Sequence, residues 1–138
     1  MRTKDQDNHK HKILVAEDEP DIRELVSITL KYNGFEVTVA ADGLEAVALA
    51  GRENFDLIIL DVRMPRMTGY EACRELRQQE ATKKIPIIFL SAKGQESEVQ
   101  AGLEAGADEY IIKPFAPNEL ARRVRVTLEN RRARSQQV

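Results

Sequence analysis

Five side chains stand out for what their types and spacing could do together: Glu17, Asp18, Asp61, Ser91 and Lys113. Each lies at the end of a short, mostly apolar run: Ile13 to Ala16, Phe55 to Leu60, Ile85 to Leu90, and Asp108 to Ile112. Parallel strands buried on both faces read as near-continuous apolar sequence, and open α/β sheets place their chemistry at the carboxyl ends of such strands. With these strands central, all five groups share one edge of the sheet. Three carboxylates at close range repel, so the cluster must hold either a proton or a cation. Oxygen donors without histidine or thiolate favour Mg2+, with Mn2+ possible, over zinc. A lysine and a hydroxyl facing such an ion would neutralise and hydrogen-bond phosphoryl oxygens. Asp61 would then act as a nucleophile, taking a phosphoryl group to form an acyl phosphate. Any one of these residues alone reads as an ordinary strand-end charge; the set points to phosphoryl chemistry.

The elements that must position them follow in strict alternation. After the first strand, Pro20 suits the first position of a helix in which Ile22, Leu25, Val26, Thr29 and Leu30 recur at helical spacing. Asn33-Gly34 is its stop signal. Phe35 to Val39 alternates as a half-exposed strand ending at Ala40-Ala41, which offers no chemical group and places this strand to one side. Asp42 and Glu45 have capping-box spacing and open a helix to about Gly51. The third strand ends abruptly on Asp61, because Pro65 prevents simple continuation. Thr68 and Glu71 form a second capping box, before a helix whose inner face is Ala72, Cys73 and Leu76. A fourth helix spans about Gln95 to Ala105 and breaks at Gly106, and Pro117 starts a last one lined by Leu120, Val124 and Leu128. Five strand-then-helix units predict an α/β fold, a doubly wound five-stranded parallel sheet with helices on both faces and right-handed crossovers.

Composition narrows the function classes. At 138 residues, 42% hydrophobic and 32% charged, the chain suits one soluble domain with a single core. A net charge of −2 argues against nucleic-acid binding through overall charge. No apolar run approaches the roughly 18–20 residues needed to span a bilayer, and residues 1–11 lack an apolar signal region. Those residues read as a mobile tail, and nothing near His9 and His11 completes a metal site. The single cysteine, Cys73, excludes an internal disulfide, fits a reducing cytoplasm and reads as a core residue.

The pieces Ile13 to Asp18 (ILVAED), Leu57 to Gly69 (LIILDVRMPRMTG), Phe89 to Lys93 (FLSAK) and Gly106 to Phe115 (GADEYIIKPF) carry a resemblance. From about Lys12 to Arg131 the sequence closely resembles the receiver domain of two-component response regulators. The resemblance implies a flavodoxin-like sheet of order 2-1-3-4-5, with receiver residues 12–131 between an N-terminal tail (1–11) and a C-terminal tail (132–138). It implies Asp61 as phosphoacceptor, fed by a sensor histidine kinase or a histidine phosphotransfer protein. Asp18, Asp61 and the backbone carbonyl of Arg63 would bind Mg2+, with Glu17 acting through a metal-bound water. Ser91 and Lys113 would contact the phosphoryl group, and Lys113-Pro114 would be a cis peptide. Tyr110 would turn inward when Ser91 moves toward the phosphate. The face of the fourth helix, fifth strand and last helix would then bind a downstream protein target or a second copy. Such a chain is a signalling switch that assists its own phosphorylation, not an enzyme in the usual sense. Either it works without an output domain, or it is the receiver part of a longer regulator.

Arg63 and Lys93, each two residues past Asp61 and Ser91, are expected to shield the phosphoryl group from water and lengthen its life. The carboxy-terminal run Arg122, Arg123, Arg125, Arg131, Arg132 and Arg134 reads first as a solvated helix face. Its functional alternatives are an acidic partner, a dimer contact with Asp108 and Glu109, or the start of a linker; no recognition-helix motif supports DNA binding by it. A phosphatase of the haloacid dehalogenase type needs an acid two residues beyond its nucleophile, and Arg63 stands there. A nucleotide or flavin binder would want a phosphate loop where Glu17-Asp18-Glu19 would repel one. A docking-only pseudo-receiver is disfavoured because every acceptor group is present.

Overall fold

The computed structural model describes residues 10–92 and 96–135, with side chains as far as residue 131. Five strands, β1 (Lys12–Ala16), β2 (Glu36–Ala40), β3 (Leu57–Asp61), β4 (Ile87–Ala92) and β5 (Glu109–Lys113), alternate with five helices. The helices are α1 (Pro20–Tyr32), α2 (Gly43–Arg52), α3 (Gly69–Gln78), α4 (Glu96–Glu104) and α5 (Pro117–Ser135). The strands form one parallel sheet in the order β2-β1-β3-β4-β5. This is the expected doubly wound architecture.

Because successive strand residues face opposite sides, each strand feeds two cores. Leu14, Ile58, Leu60, Ile87 and Phe89 pack with Ala46 and Ala50 of α2 and Ala72, Cys73 and Leu76 of α3. Ile13, Val15, Ile59, Ile88, Leu90 and Ile111 face Val26 and Leu30 of α1 and Leu120 and Val124 of α5. The three central strands are therefore buried almost throughout, whereas edge strand β2 exposes Glu36 and Val39. Cys73 is a buried free thiol in the core, raised above its ordinary pKa chiefly by burial.

Local signals set several boundaries. Pro20 opens α1, Asn33 caps it, and Gly34 takes φ +92°. The Thr68–Glu71 capping box is complete: Thr68 Oγ1 accepts from the Glu71 amide, and Glu71 accepts from the Thr68 amide. The first box is shifted. Asp42 Oδ1 accepts from the Glu45 amide, but Glu45 reaches the amide of Ala41 rather than that of Asp42. Leu25 also departs from its expected inward position, being 43% exposed, because only Val26, Thr29 and Leu30 of α1 are fully buried against the sheet. The last helix runs on to Ser135, beyond the expected domain end at Arg131. Ser91 lies within β4 rather than after it. His9 and Lys93 fall outside the described residues.

Candidate functional site

Strand register brings the polar groups to one edge. Ala16 pairs with Leu60 and Asp61 with Leu90, so Glu17, one residue past β1, lies level with Asp61. The ladder extends past the strands, with the Glu17 amide donating to the Ala40 carbonyl at 3.1 Å and the Val62 amide to that of Leu90 at 3.0 Å. Ser91 pairs with Ile112, and Lys113 follows at the end of β5, opposite Ala92. The side chain of Lys113 turns back across the edge.

The resulting cluster is tight. One carboxylate oxygen from each of Glu17, Asp18 and Asp61 lies within 4.8 Å of the others. The Lys113 Nζ stands 3.2 Å from Glu17 Oε1, 3.4 Å from Asp61 Oδ1 and 3.7 Å from Glu19 Oε1. Glu17 is 0% exposed; its Oε2 accepts from the Glu19 amide at 3.1 Å, and its carbonyl accepts from Arg23 Nη1 at 2.9 Å. Burial, reinforced by a hydrogen bond to Asp61 and by that residue's charge, pushes the Glu17 carboxyl up to about 8. Burial likewise raises Asp61, against the hydrogen bond with Glu17, the Lys113 charge and the Arg63 amide, with the Asp18 charge adding least. For Lys113, burial opposes the charge, but the Asp61 and Glu17 carboxylates outweigh it and hold the ammonium above its ordinary value.

Burial leads both carboxyl shifts, while the neighbouring carboxylates hold the lysine charged against it. Both carboxyls are thereby biased toward holding a proton. A hard divalent cation could relieve the clustered charge instead, since all three carboxylate donors are oxygens. The residues present thus fit Mg2+.

The surrounding loops are closely fitted. A Cβ on Gly69 would lie 2.3 Å from the Asp61 carbonyl oxygen, so only glycine lets α3 start this close to β3. The Lys113–Pro114 peptide is cis. Beside Lys113, an open depression of about 360 Å³ is lined by Ile22, Leu25, Pro114 and Phe115 among others, which accounts for the exposure of Leu25. Ser91 is buried on β4, one residue beyond the partner of Asp61. Tyr110 pairs with Phe89 across β4–β5 and is half-buried against the core on the α2–α3 side.

Arg63 is engaged by a helix on the other side of the loop. Its guanidinium grips Glu98 of α4 through Nε, at 3.0 and 3.2 Å to the two carboxylate oxygens, and through Nη2. The carboxy-terminal arginines also find partners within the chain: Arg123 pairs with Glu109 at 2.7 Å and Arg131 with Asp108 at 3.6 Å. The side chains of Arg132 and Arg134 are outside the described set. Sequence reasoning missed Glu98, and also an ion pair between Asp42 and Arg66. Neither carries a local signal, because the partners are 35 and 24 residues apart.

Comparison with known proteins agrees with this geometry. The model of the response regulator receiver domain matches residues 13–125. A probable transcriptional regulator of Cyanophora paradoxa, ycf27, is 46% identical over 120 residues, covering 87% of this chain and 49% of that protein. The chain spans about half the length of the curated relatives it matches. Among solved structures, a putative response regulator from Chloroflexus aurantiacus aligns with TM-score 0.85 and 39% identity, covering 88% of this chain and 99% of the other. The receiver domain of a sensor histidine kinase from Pseudomonas aeruginosa, solved with a magnesium ion in its active-site cleft, aligns with TM-score 0.82 and 36% identity, covering 88% and 99%. No described helix is long and apolar enough to cross a membrane. The doubly wound sheet, its acidic edge and these matches give one conclusion: the chain belongs to the response regulator receiver domain family of two-component signalling.

Proposed function

We propose that Asp61 accepts a phosphoryl group from a phosphohistidine on a sensor kinase or histidine phosphotransfer protein, and that the bond formed changes which partners the domain binds. The observation that carries this is the convergence of Glu17, Asp18 and Asp61 within 4.8 Å, faced by the Lys113 ammonium. In the transfer, an Asp61 carboxylate oxygen attacks phosphorus, the P–N bond breaks with its electron pair going to the ring, and the histidine, already protonated on its other nitrogen, leaves as neutral imidazole. Lys113 stands where it can neutralise a phosphoryl oxygen, and the Ser91 hydroxyl is the donor on the neighbouring strand. Asp18, Asp61 and the Arg63 carbonyl would hold Mg2+, with Glu17 reaching it through water. When bound, that ion supplies the remaining charge neutralisation.

Movement of Ser91 toward the phosphoryl group, followed by Tyr110, would carry the signal to the face of α4, β5 and α5, where a protein target or a second copy binds. In this reading the partners of the domain itself are proteins rather than nucleic acid. Arg63 and Lys93 would tune the lifetime of the acyl phosphate, and Arg63 must first leave Glu98 to do so. Two settings for the switch are open. The half-length match to transcriptional regulators supports a receiver joined to an output domain, and a receiver acting alone is the other setting.

The test is incubation with acetyl phosphate and Mg2+, followed by intact mass. Wild type should gain one phosphate that chelation of Mg2+ suppresses, and Asp61→Asn should gain none. Equal labelling of both proteins overturns the assignment.

A further inference from the structure

The loop from Val62 to Thr68 includes Arg63, whose backbone carbonyl would hold the ion in the functional reading above, so the loop's shape matters to any ion held there. Both ends of this loop are fixed. The Val62 amide donates to Leu90, the Gly69 amide donates to the Val62 carbonyl at 3.0 Å, and Gly69 lies against the Asp61 carbonyl. The middle is held in an unusual way. Arg66 adopts φ +65°, the sole positive φ at a non-glycine among the described residues, where a Cβ is disfavoured. Its side chain reaches from β3–α3 to the start of α2, where Nε and Nη2 donate to Asp42 Oδ2 at 2.9 and 2.5 Å.

Asp42 is a firm anchor. It is 5% exposed, and its other oxygen caps α2 by accepting from the Glu45 amide. The Glu45 amide first, and then Arg66, holds its carboxyl below the usual range despite burial. The same loop is wedged from below, since a Cβ on Gly43 would lie 2.3 Å from the Met67 carbonyl oxygen. A capped helix end, a close glycine contact and a charge-assisted bond therefore converge on the loop's tip, three residues from Arg63.

We infer that Asp42, acting through Arg66, is a positioning residue that presets the β3–α3 loop, and with it the Arg63 carbonyl, for the divalent ion. This rests on the functional reading above. An untethered loop would be free to relax Arg66 toward negative φ, and the Arg63 carbonyl would lose its fixed place. An ion would then have to order the loop as it bound, which weakens binding.

The test separates the ion pair from the backbone conformation. Arg66→Gly keeps φ +65° without strain but removes the guanidinium; Asp42→Asn keeps a side-chain cap but removes the charge. Calorimetric Mg2+ titration should show about three- to tenfold weaker binding in each variant, with the double variant no worse than either single one. In metal-free protein, amide exchange at residues 63–68 should accelerate in both variants while exchange in β3 and β4 stays slow. Arg66→Gly with wild-type affinity and exchange would show that conformation alone suffices and would overturn the inference. Weakened binding whose two effects simply add would overturn it too, since the residues would then act separately. Wild type that binds Mg2+ while both variants match it refutes the positioning role alone; wild type that binds no Mg2+ refutes the functional reading and this inference with it.

Discussion

Replacing Asp61 with asparagine should make the metal-free protein more stable, although it removes the residue the site is built around. In the wild-type edge, three carboxylate oxygens lie within 4.8 Å of one another against one ammonium. Two unit charges at that separation repel by about 3.5 kcal/mol at an effective dielectric constant of 20. The consequence is visible in Glu17, whose carboxyl is pushed from 4.5 to about 8 by burial first and by Asp61 second. A folded-state value above the unfolded one stabilises the protein while the group is protonated. That stabilisation is complete below about pH 4.5 and is lost as pH rises through about 8. Metal-free wild type should therefore weaken between pH 5 and 8.5, with a slope of at most about 1.4 kcal/mol per pH unit for one proton. Water in the open cleft and the loss of the Lys113 pairing reduce the gain from Asp61→Asn, leaving about 1–2 kcal/mol at pH 8. Urea unfolding in a chelator, followed by circular dichroism across this pH range, measures it. The variant should show a shallower pH slope, and Mg2+ should stabilise wild type but not the variant. A metal-free variant less stable than wild type at pH 8, or a wild type indifferent to pH, would refute the reasoning.

Two further expectations follow from contacts around the edge. Glu98→Gln removes the charge that occupies Arg63, so the guanidinium is free to approach Asp61, and the acyl phosphate should survive a few-fold longer when its loss is timed after removing the donor; a shorter life counts against Arg63 as a shield. Gly69→Ala places a methyl 2.3 Å from the Asp61 carbonyl oxygen, backbone against backbone, and should cost about 2–4 kcal/mol in urea unfolding and weaken Mg2+ binding together; an alanine variant of wild-type stability would show that α3 can shift freely.

Much of this protein was legible locally. Pro20, Asn33-Gly34 and the Thr68–Glu71 box mark helix ends by satisfying backbone groups within a few residues, so reading them needs no knowledge of the rest of the fold. The runs ending at Glu17, Asp61, Ser91 and Lys113 announce buried parallel strands by composition alone, and a parallel sheet then places their ends on one side. Side-chain partners across the fold were not legible, because no period relates residues brought together by packing. Lys113 meets Glu17 across 96 residues, Arg66 finds Asp42 across 24, and Arg63 finds Glu98 across 35. Leu25 shares the apolar period of α1, yet it faces a depression beside Lys113 instead of the core. Asp108 and Glu109, offered by the sequence to a second copy, are engaged at home by Arg131 and Arg123. The sequence by itself determined the order of elements, the sheet edge and the acids and amine gathered there, because those follow from short-range hydrogen bonding and apolar periodicity. Only the tertiary structure decided which charges face each other, because that depends on how the helices settle against the sheet.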